Sequence, residues 1–169
     1  ICCFCVRINM SLEHETIVPP SSMCCFCVRI NMSLEQAKSL LKSTDSTLVV
    51  VSGDDVFTSK ERGVKPLLHL LTEKKGFLKG ASVADKVIGK AAALLMALGE
   101  IKEVHTQIIS EPAIKVFENH NIKYYFDKKV DRIINRTGDG LCPMETLCLA
   151  IDDPMEAFQK ITEKVPKIK

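Results

Sequence analysis

The sequence predicts one α/β domain, a three-layer α/β/α sandwich around a mixed sheet. Three observations lead there. A β-branched run and a turn, Thr47 to Ser52 and Gly53-Asp54-Asp55, come back as a second strand in Val56 to Ser59, a hairpin. Strand-like and helix-like stretches then alternate to about residue 126, the order that packs helices on a mostly parallel sheet. Asp85 to Leu98 is apolar on most sides, as a buried central helix would be.

The elements follow in order. Ser33 and Gln36 have capping-box spacing, and Leu34, Ala37, Leu40 and Leu41 share one helical face, so ordered structure is expected from about Ser33. After the hairpin, Pro66 opens a short helix with Leu67, Leu68, Leu70 and Leu71 on a broad apolar face. Ala81 to Ala84 is expected as a strand that delivers the chain to the Asp85 helix, which stops at Gly99. Val104 to Ser110 alternates as a strand, Pro112 to Asn119 reads as a helix, and Ile122 to Phe126 as another strand. Asp153 and Pro154 supply the cap and first turn of a last helix reaching about Lys164.

Ahead of this domain, Cys2 to Glu13 and Cys24 to Glu35 carry the same twelve residues, CCFCVRINMSLE, at an offset of 22. Two units linked by Pro19-Pro20-Ser21-Ser22 do not make a solenoid, which needs three or more stacked repeats. Residues 1–32 are therefore expected to be a duplicated Cys-rich leader, disordered or incidental, and residues 33–169 the domain. Metal binding or S-acylation of the leader cysteines are minor readings.

Composition narrows function by exclusion. With 23 basic and 21 acidic residues the net charge is +2, too little for a nucleic-acid or acidic-membrane partner, so an anion site has to be local. The apolar runs are far shorter than the roughly 20 residues of a spanning helix. Six of the eight cysteines lie in the first 27 residues, which is no disulfide framework, and a reducing cytoplasmic setting fits. His69, His105 and His120 are scattered and propose no metal site, and no cofactor is called for. Glycine-rich phosphate loops of the GxxxxGK[ST] or GxGxxG kind are missing.

The blocks Glu61 to Leu68 (ERGVKPLL), Ala84 to Leu95 (ADKVIGKAAALL) and Ile133 to Glu145 (IINRTGDGLCPME) resemble a small family of unknown function grouped with the cytidine deaminase-like superfamily. The resemblance spans residues 33–164 and implies a cytidine deaminase-like fold with a pocket at the superfamily's active position. Zinc deaminases put His or Cys, then x-Glu, at one helix start and Pro-Cys-x-x-Cys at the next. The matching stretches are Asp85-Lys86-Val87 and Glu111-Pro112-Ala113-Ile114-Lys115-Val116, where the proline is kept and the ligands are absent. Hydrolytic deamination by a metal-bound hydroxide is therefore not expected.

At that position Asp85 reads as an N-cap or as a base, nucleophile or ribose-hydroxyl acceptor. Lys86 and Lys90, four apart on the expected helix, disfavour it by about 0.2 to 0.5 kcal/mol unless an anion lies near; the bland alternative is that both snorkel to solvent. Ser110 and Glu111 end a strand and open a helix, where backbone N–H groups meet an anion, or Ser110 simply caps. The turn Thr137-Gly138-Asp139-Gly140 brings Asn135 and Arg136 over the same pocket, with Arg136 suited to phosphate. Cys142 precedes Pro143 and reads as a thiol at a helix start or as an inert buried one. Glu61, Arg62 and Lys65, around Gly63, are further candidates or a structural loop.

The leading expectation is a nucleotide or nucleoside-derivative binding protein with a sensing or regulatory role. The rivals are a metal-free, transferase-like enzyme using Asp85 with Lys86 or Lys90, and a structural or partner-binding domain. Pairing of two copies is a further possibility, by analogy with folds of this kind.

Overall fold

The computed structural model describes residues 25–165 apart from Arg136 and Asp139, with residues 25–32 described through the backbone alone. The elements are α1 (Cys25–Ser43), β1 (Leu48–Ser52), β2 (Asp55–Ser59), α2 (Lys65–Glu73), β3 (Ser82–Ile88), α3 (Lys90–Leu98), β4 (Glu103–Ser110), α4 (Glu111–Asn119), β5 (Lys123–Val130), α5 (Pro143–Cys148) and α6 (Pro154–Lys164). Five strands form one sheet in the order β2-β1-β3-β4-β5. β1 pairs antiparallel with both β2 and β3, whereas β3, β4 and β5 run parallel. The expected three-layer α/β architecture with a mixed sheet is what the chain adopts.

The sheet's two faces carry unequal burdens. On one, Val49, Val51 and Ala84 meet Ala37 and Leu41 of α1. On the other, Leu48, Val50, Val83, Val104 and Ile109 meet the remaining helices. Helix α3 is the hub: every residue from Lys90 to Ala97 is buried. Its Leu94, Leu95 and Met96 are fully enclosed, each contributing about 1.5 to 3 kcal/mol of burial.

The hairpin turns on Gly53 at φ +61, the left-handed region that glycine enters without strain. Asp153 caps α6 as expected, its Oδ2 accepting the Glu156 N–H at 2.8 Å. Helix α3 ends at Leu98, and Gly99 lets Leu78 approach to where a Cβ would stand 2.6 Å from its Cδ1.

Three expectations need correction. Helix α1 begins at Cys25, so Ser33 lies inside it and caps nothing; the rest of the leader, residues 1–24, lies outside the described residues. More consequential for the site, Asp85, Lys86, Val87 and Ile88 belong to β3, and the helix starts only at Lys90. Asp85 pairs in register with Leu48 on one side and Thr106 on the other, so the sheet ladder fixes it as strand. Strand β5 also runs on to Val130, four residues past the expected end. Among the described residues, no helix is long and apolar enough to cross a membrane.

Candidate functional site

A cavity of about 700 Å³ opens where β3 ends and α3 begins. Ligands of open α/β sheets bind at this edge, outside the carboxyl ends of parallel strands, and the volume is that of an ordinary small-molecule site. One wall is Arg62, Gly63 and Val64, leading into α2. A second comes from Lys86, Val87, Gly89, Ala91 and Ala92 along β3 and α3. The third is the segment between β5 and α5, including Ile133, Asn135, Cys142, Met144 and Glu145.

Local hydrogen bonds shape these walls. The β5–α5 segment folds back on itself: Asn135 N–H donates to Gly140 O at 2.8 Å and Cys142 N–H to Ile133 O at 2.9 Å. Ile134 bridges Leu141 between these bonds, and Asn135 Oδ1 takes the Gly138 N–H at 2.9 Å. Before α2, Gly63 at φ +75 makes the turn, and Glu61 O accepts from the Thr47 hydroxyl, tying this wall to the start of β1.

Glu145 is the least expected member. It is 1% exposed, and its Oε2 accepts the backbone N–H of Lys90 at 2.6 Å. The carboxylate thus satisfies an orphan N–H at the first residue of α3, where the helix dipole favours negative charge. Gly89 makes this possible, because a Cβ there would stand 2.3 Å from Oε2. Glu145 Oε1 is buried without a hydrogen-bond partner among the described residues. A buried carboxylate oxygen left unmatched is uncommon and expensive.

The structure separates the two lysines. Lys86 lines the cavity with its side chain 36% exposed and a loose ion pair to Asp45 at 3.6 Å. Such an exposed pair is worth about 0 to 1 kcal/mol, so Lys86 is readily redirected. Lys90 is instead 7% exposed, and its ammonium is spent on Leu149 O and Asp152 Oδ1, both at 2.8 Å. It holds α3 to the turn before α6, and the expectation that it shares a helical stripe with Lys86 is overturned because Lys86 is in a strand.

Asp85 is neither an N-cap nor part of the cavity lining. Burial pushes its carboxyl up to about 7, against the pull of hydrogen bonds from the Val87 and Lys86 N–H groups. Part of its residue surface still reaches solvent. Ser110 occupies the N-cap of α4, yet its buried Oγ bonds nothing among the described residues, so the simple capping reading fails. Glu111 pairs loosely with Lys115 at 3.9 Å. Neither is in the cavity wall, nor are Glu61 and Lys65; Arg62, Lys86, Asn135 and Cys142 are. Arg136 lies outside the described residues. Cys142 stands half-buried at the N-cap of α5, whereas burial drives the Cys148 thiol behind it up to about 11.

The starts of α3 and α4 read Gly89-Lys90-Ala91 and Glu111-Pro112-Ala113-Ile114-Lys115-Val116. Neither stretch holds a His or Cys, and the lone carboxylate of Glu111 does not make the ligand set that zinc takes. Among the described residues no group of three or more His, Cys, Asp or Glu is placed to hold one.

Residues 36–165 match the family described as TM1506, domain of unknown function (DUF1893). The crystal structure of a DUF1893 family protein from Thermotoga maritima is 29% identical, with a TM-score of 0.73 over 90% of this chain and 96% of that one. RibD from Acinetobacter baumannii, form 1, is 15% identical with a TM-score of 0.40 over 59% of this chain and 35% of that one. The dCMP deaminase from cyanophage S-TIM5, apo form, is 10% identical with a TM-score of 0.38 over 59% and 97%. No curated protein matches. The chain belongs to the DUF1893 family.

Proposed function

We propose that this DUF1893 family member is a nucleotide or nucleoside-derivative binding protein, acting in the cytoplasm as a sensor or regulator. The observation that carries the reading is the make-up of the cavity: largely apolar walls that also include two cations, the half-buried Lys86 and the exposed Arg62. Val64, Val87, Ala92 and Met144 offer apolar surface to a flat ring. The two cations of the lining offer phosphate a charge-assisted hydrogen bond each, Arg62 in its fork geometry. The ligand class thus joins an apolar ring to an anionic group.

The enzyme alternative has one observation in its favour, the Asp85 carboxyl at about 7, a useful value for a general base. Binding is preferred because Asp85 is not among the residues lining the cavity.

The test is a thermal-shift screen of the full chain against nucleosides, nucleotides, nucleotide sugars and nicotinamide cofactors, repeated with Lys86→Ala and Arg62→Ala. A nucleotide that raises the midpoint by several degrees in the wild type, with most of the shift lost in both variants, is the expected result. No shift across the panel sinks the reading and favours a partner-binding domain. Turnover of a bound ligand, abolished by Asp85→Asn, would move the assignment to an enzyme.

A further inference from the structure

We infer that the free edge of β5 pairs with β5 of a second copy of this chain, antiparallel about a two-fold axis through Tyr125, joining two five-stranded sheets into one. The inference does not depend on what the cavity binds. β5 closes one side of the sheet and is bonded to β4 alone. Among the described residues, no backbone group of residues 124–130 bonds outside that ladder. The strand has neither proline nor glycine, so its outer side is an uninterrupted row of donors and acceptors, the template on which another strand adds.

The side chains suit a contact strand. Tyr125 is 49% and Phe126 41% exposed, whereas β2, at the opposite edge of the sheet, shows one large exposed apolar residue, Val56. On the α4 side the rings of Phe117, Tyr124 and Phe126 stack in a row, with centroid distances of 6.1 and 6.3 Å. The row stops at Phe126, in solvent. Tyr125 is on the other face with its neighbour in register, His105, whose Nε2 lies 3.2 Å from Asp127 Oδ1.

Charge sets the register. Extending the sheet with its helices kept on their own sides needs a two-fold axis normal to it, which puts one residue of β5 opposite its own copy. Centred on Phe126, the pairing would set Lys123 opposite Lys129 of the second copy; centred on Asp127, it would set that carboxylate against itself. Like charges directly opposite are destabilising. Centring on Tyr124 leaves the strand paired only from Lys123 to Tyr125. Centred on Tyr125, Lys123 faces the second copy's Asp127 and Tyr124 faces its Phe126, and the axis repeats both pairs. Opposite charges then flank the axis on one face, and the exposed end of the ring row is covered by a matching row on the other. Lys128 and Lys129 fall past the paired stretch, where they keep further strands from adding. A pairing from Lys123 to Asp127 is at the small end of specific interfaces, so monomer and dimer exchange in the micromolar range.

Sedimentation equilibrium of the full chain, in reducing buffer that keeps the cysteines from cross-linking, tests the pairing. It is run on the wild type, Tyr125→Lys, Lys123→Glu and the double variant Lys123→Glu/Asp127→Lys. The wild type should dimerise reversibly. Tyr125→Lys sets two ammonium groups across the axis and Lys123→Glu sets carboxylate against carboxylate in both charge pairs, so each should weaken the dimer by about tenfold or more. The double variant again has opposite charges across each pair and should recover most of that loss. In the wild type, amide hydrogen exchange in β5 should slow as concentration rises, a reading of the same edge that needs no substitution. A wild type monomeric up to millimolar concentration, or exchange in β5 that ignores concentration, overturns the inference. So does a dimer indifferent to Tyr125→Lys and Lys123→Glu, or a double variant no tighter than Lys123→Glu alone.

Discussion

The two strand-to-helix turns, β3 to α3 and β4 to α4, follow neighbouring parallel strands and end in opposite states. At the first, Gly89 holds the N-cap with no side chain, and Glu145, 55 residues away in sequence, supplies the carboxylate that satisfies Lys90 N–H. At the second, Ser110 has a hydroxyl in the usual capping position and leaves it buried and unbonded among the described residues, with Pro112 already removing one N–H from the first turn. Only the first turn lines the cavity. A helix start becomes a site when a distant element completes it; a capping residue in place is not enough.

The largest expected effect tests that completion. Glu145→Ala removes the partner of Lys90 N–H and opens a void in the wall, and should cost about 2 to 4 kcal/mol in urea unfolding. A loss below about 1 kcal/mol would mean that the carboxylate is a bystander. Gly89→Ala comes next, because its Cβ meets Glu145 Oε2 at 2.3 Å and Ile133 Cγ1 at 3.2 Å. It should cost about 2 to 3 kcal/mol through overpacking. Combined with Glu145→Ala it should cost clearly less than the sum, since the clash disappears with its partner.

Asp85 sharpens the comparison through pH. Its folded pKa of about 7 lies above the ordinary 3.8, so the folded state retains a proton that the unfolded chain gives up. The stability tied to this proton is full below about pH 4 and is lost as pH rises towards 7, then stays lost. Asp85→Asn, which never ionises, should match the wild type at pH 4 and exceed it by on the order of 1 kcal/mol at pH 8, discounted for the partly wet site. A gap independent of pH would contradict the assignment. The smallest effect belongs to the other turn: Ser110→Ala should leave stability unchanged or raise it by about 0.5 kcal/mol, where an ordinary N-cap serine would lose about 1.

Much of the fold was legible in local signals. The hairpin, the apolar stretch that became α3, the proline-opened helices and the Asp153 cap were all visible because each is decided within a few residues. The start of α3 was not. Asp85 looks like a cap ahead of an apolar helical run, and only pairing with Leu48 and Thr106 makes it strand. Gly89, directly after the β-branched pair Val87-Ile88, was the available cue for the break.

The site was legible in part for the same reason. Lys86, Arg62, Asn135 and Cys142 reach the cavity wall from the blocks that suggested them, while Lys90 is diverted to Leu149 and Asp152 by a contact no local pattern encodes. Glu145 was missed because its role exists only where α5 meets α3. Its place in the first turn of a Pro143-opened helix marked it merely as favourable to its own helix.

Amide chemical-shift mapping of the full chain titrated with CMP and AMP tests the central claim most directly. The account predicts saturable shifts at Arg62, Lys86, Gly89, Asn135 and Glu145, with Ser110 and Glu111 unmoved. Absence of shifts, or shifts centred on the Ser110 turn, would contradict it.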